Sequence, residues 1–150
     1  MKKKRPYFAT RLLFSLLAVM TTTTTWALTP LDGDVWDEET KTLTVNSNPR
    51  DMAYEGKTEI VNLVISSGVT SIGAYAFQDC SSLTSVTIPN SVTNIPYSTF
   101  RGCSSLTSIE IPNSVTKIGD DAFYGCSSLT SVSFPIGLTS IGSSAFSGCI

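Results

Sequence analysis

From residue 54 onward the apolar positions recur at a fixed long interval, not with the spacing of an amphipathic helix. Phe77, Phe100, Phe123 and Phe146 are evenly spaced, and Cys80, Cys103, Cys126 and Cys149 repeat the same interval of twenty-three positions. The same phase carries Leu83, Leu106 and Leu129, then Val86, Ile109 and Val132, then Ile88, Ile111 and Phe134. It continues through Pro89, Pro112 and Pro135, then Val92, Val115 and Leu138, and ends with Ile95, Ile118 and Ile141. So many positions in register over successive periods exclude an accident of composition and mark an array of stacked units. The units run 77–99, 100–122 and 123–145, with a partial one at 146–150.

Each unit has an internal order with a physical basis. Val86 and Ile88 alternate with Ser85 and Thr87, which predicts a short strand with one buried face. Pro89 ends the strand by withdrawing a backbone donor, and Asn90-Ser91 turns the chain so that Val92 and Ile95 point back inward. Gly73, Gly119 and Gly142 sit where a positive φ is expected; Pro96 takes that place in the next unit, so its turn is expected to differ. Ala122-Phe123 and Ala145-Phe146 fill the side opposite the strand. One coil of this kind leaves its apolar face bare. A stack buries it, with strands pairing in parallel at about 4.8 Å and irregular turns on the convex side.

Residues 54–76 form a divergent first unit that keeps Ile60, Leu63, Ile65, Val69, Ile72 and Ala76 but lacks the phenylalanine, cysteine and proline. Such divergence is expected of a coil with no neighbour on one side. Residues 28–53 precede it, and the segment from Asp34 to Asn46 predicts a capping β-hairpin that covers the first coil with Trp36 and Leu43.

Residues 1–27 have another character. Lys2, Lys3, Lys4, Arg5 and Arg11 precede the apolar run Leu12–Met20, then a threonine tract and Trp26-Ala27. This order predicts a helical secretory signal peptide cleaved after Ala27. The apolar run is short against the roughly 20 residues that span a bilayer. Cleavage leaves five basic and twelve acidic residues, a net charge of −7. That balance argues against nucleic acid and against docking on anionic lipid. The expected location is secreted or at the cell surface, by way of the periplasm if the cell is Gram-negative.

The phrase AF-x-G-C-S-S-L-T-S-[IV]-x-[IF]-P-x-x-[VL]-T-x-I-G, repeated over about residues 54–150, fits a leucine-rich repeat pattern and resembles the BspA-like leucine-rich repeats. The Trp36 to Val45 segment is similar to the N-terminal cap of such proteins. The resemblance implies a leucine-rich repeat solenoid in secreted and surface proteins of bacteria of the mouth and gut and of some mucosal protozoa. It also implies adhesion and binding, not catalysis.

Four cysteines in an exported chain invite a disulfide reading. Neighbouring rungs place their Cα atoms roughly 5 Å apart, within disulfide range, but their parallel Cβ vectors suit the bond poorly. A ladder of buried thiols alongside the phenylalanines is the favoured reading; one or two disulfides remain the alternative. A thiol nucleophile commonly needs a histidine base, and the chain has none. Zinc requires ligands converging on a point, whereas these march along an axis. Asp32, Asp34, Asp37, Glu38 and Glu39 form an acidic cluster whose glycine falls at the second place of a calcium loop, not the sixth. A solvated acidic face is expected there, and plain exposure for Asp120-Asp121. No catalytic residue, metal site or cofactor is assigned.

Repeat proteins bind along extended concave surfaces. The outward strand positions are Asn62, Val64, Ser85, Thr87, Ser108, Glu110, Ser131 and Ser133, a carpet of hydroxyls with one charge. These are the candidate ligand-binding residues, toward an extracellular or host protein or a glycan. They equally serve to keep an exposed sheet soluble. Tyr97, Tyr124 and Arg101 lie on the opposite side and read as a second contact patch or, the favoured reading, as ordinary variable surface. The coil after Phe146 has no cap, which raises two further expectations: end-to-end self-association, or a longer exported protein whose activity lies downstream.

Overall fold

A computed structural model describes residues 28–150. The expected signal peptide at 1–27 lies outside the described residues. The chain winds as a parallel β-solenoid of about four turns, with no helix among the described residues. It opens with β1 (Val35–Asp37) and β2 (Thr42–Val45), an antiparallel hairpin that sets Trp36 opposite Leu43. β2 then pairs in parallel with β3 (Asn62–Ile65), and β3 with β4 (Ser85–Thr87). Thr42 stands beside Asn62 and Asn62 beside Ser85, so the capping coil is shorter than the repeat it covers. Leu43 and Val45 are fully buried beneath the hairpin.

On the same face lie β6 (Ser108–Glu110) and β8 (Ser131–Ser133), paired in parallel. β4 and β6 are neighbours in the winding but do not complete a hydrogen-bonded ladder. The returning limb, expected to be irregular turn, carries a second small sheet. β5 (Asn94–Ile95), β7 (Lys117–Ile118) and β9 (Ser140–Ile141) pair in parallel there. This sheet starts at β5 for a chemical reason. Gly119 donates its N–H to Ile95 O and Gly142 to Ile118 O, both at 2.8 Å. Pro96 occupies the same place one coil earlier and has no N–H to give Ile72.

Two left-handed residues shape each coil. One column is Tyr75, Ser98, Asp121 and Ser144, with φ between 51° and 58°. The other is Asp79, Gly102, Gly125 and Gly148, with φ between 57° and 79°. The expectation of positive φ at Gly73, Gly119 and Gly142 is therefore wrong. A β-carbon at these glycines would lie 2.3 to 2.7 Å from backbone atoms of the preceding coil. The absent side chain admits that close approach. The departure expected at Pro96 is confined to the lost hydrogen bond to Ile72, since Ser98 keeps the left-handed conformation of its column.

The core is a set of ladders. Phe77, Phe100 and Phe123 are fully buried and stack face to face, with centroids 5.5 and 5.6 Å apart and planes within 14°. Phe146 continues the stack at 5.1 Å. The first rung is Tyr54, which lies 5.8 Å from Phe77 with the planes 3° apart. The first unit thus does not lack its aromatic residue. Each ring of this size contributes about 1.5–3 kcal/mol by burial.

Candidate functional site: the strand face and its bordering groove

The outward strand residues emerge where the alternation places them. Ser85, Thr87, Ser108, Glu110, Ser131 and Ser133 are exposed, Val64 is exposed and Asn62 is half-buried. Not all of their polar groups are available. The Ser85 hydroxyl donates to Asn62 Oδ1 at 2.8 Å, and Asn62 Nδ2 donates to Thr40 O at 3.0 Å. The threonines preceding the strands are committed too: Thr84 Oγ1 donates to Val61 O at 3.1 Å and Thr130 Oγ1 to Thr107 O at 3.4 Å. Ser104, a serine of the CSSLTS segment, reaches Ser81 O of the preceding coil at 3.4 Å and not its own turn. Of the outward strand hydroxyls, that of Ser85 ties coil to coil, as do those of the flanking Thr84, Thr130 and Ser104.

Along the exit of these strands runs an open groove of about 360 Å³, crossing three coils. Thr87, Glu110 and Ser133 line it on the strand side, and Asn90 and Asn113 on the turn side. Between these edges come Pro89, Pro112 and Pro135, one from each coil, with Ile88, Ile111 and Phe134 beside them. Phe134 is 48% exposed and meets Phe146 edge-on at 5.5 Å. The groove gathers three of the expected face residues and leaves out Asn62, Val64, Ser85, Ser108 and Ser131. The prolines and asparagines read in sequence as strand stops and turn formers. The prolines recur in all three units and the asparagines in two, Ile136 taking that place in the third.

The cysteines are free thiols. Each points along the stack: Cys80 Sγ donates to Tyr54 O at 3.1 Å, Cys103 to Phe77 O at 3.2 Å, and Cys126 to Phe100 O at 3.2 Å. Cys149 repeats the contact with Phe123 O at 3.4 Å. Burial pushes the Cys80 and Cys126 thiols up to about 12 and the Cys103 thiol well above its ordinary value. A nucleophile needs the thiolate at working pH; these positions hold the thiol.

The acidic cluster is not one solvated face. Asp34 is 9% exposed and accepts bonds from Asn46 N at 2.7 Å, Ser47 N at 3.2 Å and the Tyr54 hydroxyl at 2.6 Å. Asp37 Oδ1 closes the hairpin turn by accepting from Glu39 N and Thr40 N at 2.9 and 3.0 Å. Glu38 accepts from Lys41 and from Trp36 Nε1, and these partners hold its carboxyl below the usual range. Among the described residues no three Asp, Glu, Cys or His side chains are grouped to hold a metal ion.

The opposite side is more organised than variable surface. Arg101 lies over the Tyr124 ring at 4.9 Å and reaches Asp121 Oδ2 at 3.7 Å. Tyr97 donates to the same carboxylate at 3.4 Å and packs edge-on against Tyr75 at 5.0 Å. Asp120 is exposed but not idle: its Oδ1 accepts from Ser143 N of the next coil at 2.7 Å.

The family model described as BspA type leucine rich repeat region, in six copies, matches residues 49–150. The chain belongs to the BspA-type leucine-rich repeat family. Among solved structures it is similar to a leucine rich cell surface protein from Faecalibacterium prausnitzii, with 31% identity and a TM-score of 0.70. That match covers 81% of this chain and 32% of the other. It is also similar to a leucine-rich repeat protein from Bacteroides ovatus, with 30% identity, a TM-score of 0.59, and 73% and 35% covered. The leucine rich repeat protein of T. pallidum gives 25% identity, a TM-score of 0.65, and 76% and 63% covered. The chain thus spans from about a third to under two thirds of the length of these leucine-rich repeat proteins. No protein of curated function matches it. Among the described residues no helix is long and apolar enough to cross a membrane.

Proposed function

We propose that this chain is a non-catalytic binding module, exported and displayed at the cell surface or released. It acts as an adhesin by holding an extended protein or glycan against its strand face. The observation that carries this reading is the row of exposed hydroxyls on β4, β6 and β8, bordered by a groove that crosses three coils. Repeated weak polar contacts along an extended partner suit such a surface. The face offers no tryptophan or arginine anchor of the kind that dominates compact tight interfaces. The surface origin of the Faecalibacterium prausnitzii relative supports the location.

A direct test is binding of the purified full chain to host cells and extracellular matrix, compared with the Ser108→Arg, Ser131→Arg double variant. Both positions are exposed, so the fold should survive, and binding should fall about tenfold or more if this face is used. Unchanged binding would place the contact elsewhere. A second reading follows from the coverage of only about a third of two similar structures. In it the solenoid is the targeting part of a longer exported protein. The last coil exposes Ile136, Ile141 and Ile150, a surface that a further coil or a second copy would cover.

A further inference from the structure

The groove at the strand exits has a periodic chemistry that narrows its partner, provided the chain is a binding module as proposed above. Each of two successive coils contributes the same order: a polar strand residue, a buried isoleucine, a proline and an asparagine. These are Thr87 to Asn90 and Glu110 to Asn113. Ser133, Phe134 and Pro135 supply a third rung, with a larger apolar side chain exposed. Parallel strands of successive coils, such as β6 and β8, lie about 4.8 Å apart. An extended peptide advances about 3.3 Å per residue and alternates its side chains. It would run out of phase with the rungs, and a mixed sequence would offer each rung something different. A linear polysaccharide of pyranose units advances by a distance closer to the coil spacing and presents the same unit repeatedly. The flat C–H face of a pyranose packs on a proline ring, and its hydroxyls reach Thr87, Ser133, Asn90 and Asn113.

Charge selects further. Glu110 is the one charged residue lining the groove. The twelve acidic against five basic residues after position 27 repel a uronate, sulfate or phosphate chain. We propose that the proline–asparagine groove across β4, β6 and β8 binds a neutral linear polysaccharide, one sugar unit per coil.

The test is retardation of the full chain in native gels containing soluble konjac glucomannan, barley β-glucan or wheat arabinoxylan. Polygalacturonate serves as the anionic comparison and gelatin as the extended-peptide comparison. The expected result is retardation by at least one neutral polysaccharide and none by polygalacturonate. The exposed Asn113→Arg change, aimed into the groove, should weaken that retardation about tenfold. Ser127→Arg, exposed and outside both the groove and the strand face, should leave it intact. Circular dichroism of Asn113→Arg distinguishes loss of binding from loss of fold, and Thr87→Arg provides a second groove variant. Retardation by gelatin alone, sensitive to the Ser108 and Ser131 changes, would overturn the glycan assignment while upholding the binding module. Retardation by polygalacturonate equal to that by neutral chains would overturn it as well. No retardation by any probe, with no cell binding in the assay above, would overturn both.

Discussion

The Tyr54 hydroxyl donates a hydrogen bond to Asp34 Oδ2 at 2.6 Å while its ring lies parallel to Phe77. One residue thus ends the aromatic ladder and locks the cap onto it. The same hydroxyl accepts the N–H of Leu31 at 2.8 Å, drawing in the segment ahead of the hairpin. Tyr54→Phe keeps the stack and removes both bonds. It leaves Leu31 N without its partner and Asp34 with fewer donors, in a part-buried region. A loss of about 1–3 kcal/mol is expected, measured by urea unfolding of the full chain. A change within a few tenths of a kcal/mol would show that the cap does not depend on this contact.

The middle of the ladder should be more sensitive. Phe100 is fully buried between Phe77 and Phe123. Phe100→Ala empties a space no neighbour can fill and is expected to cost about 3–5 kcal/mol. Phe100→Leu retains much of the volume and should cost distinctly less. Equal losses would mean that the stack acts only as bulk.

Two glycine substitutions separate close approach from conformation. At Gly119 an added methyl would meet Pro96 C and Tyr97 N at 2.7 Å, although φ is not positive. Gly119→Ala is expected to destabilise by about 1–3 kcal/mol, the range of overpacking. Gly68 has open space around the same position and no left-handed φ. Gly68→Ala should be neutral or stabilise by up to about 1 kcal/mol, through the unfolded chain. Thermal melts of the pair would show whether the coils touch at Gly119.

The repeat and its strands are legible because identical side chains recur at a fixed interval, from Phe77 to Phe146 and from Cys80 to Cys149. Legibility fails where a residue keeps the geometry and changes the chemistry. Tyr54 stands in the phenylalanine column, but its hydroxyl serves the cap, so identity alone does not match it to Phe77. Asp34 sits among carboxylates that share its charge and not its burial. The glycines carry no mark that tells close approach from left-handed backbone, and Tyr75, Ser98 and Asp121 take the left-handed positions. Of the proposed binding face, the outward strand residues follow from alternation. The groove does not, because it depends on prolines of separate coils lying side by side.

Alkaline pH should weaken the fold before any other pH change does. Burial raises the Cys80 and Cys126 thiols to about 12, and burial with the Asp34 bond raises the Tyr54 phenol. In the unfolded chain thiols ionise near 8.5 and phenols near 10. The folded state holds the protonated forms, so this stability is complete below about pH 8.5 and is lost as pH rises toward 12. Melting temperature should fall above about pH 9, and Cys80→Ala with Cys126→Ala should flatten that fall. The chain has no histidine to add a transition between pH 5 and 8.

Thiol labelling tests the ladder directly. Cys80, Cys103 and Cys126 are fully buried and each is bonded to a carbonyl of the preceding coil, whereas Cys149 is half-buried. Alkylation requires the thiolate and access to it, and the three inner positions deny both. In native buffer at neutral pH, iodoacetamide should modify Cys149 first and leave the others untouched until denaturant is added. Tryptic peptide mapping with fragmentation of the 118–150 peptide, which carries both Cys126 and Cys149, would give the order. Rapid native labelling of Cys103, the most enclosed thiol, would show that the coils open on the timescale of the reaction, and a rigid binding face could not then be sustained. A mass two hydrogens short per cysteine pair would show disulfides in place of the thiol–carbonyl ladder.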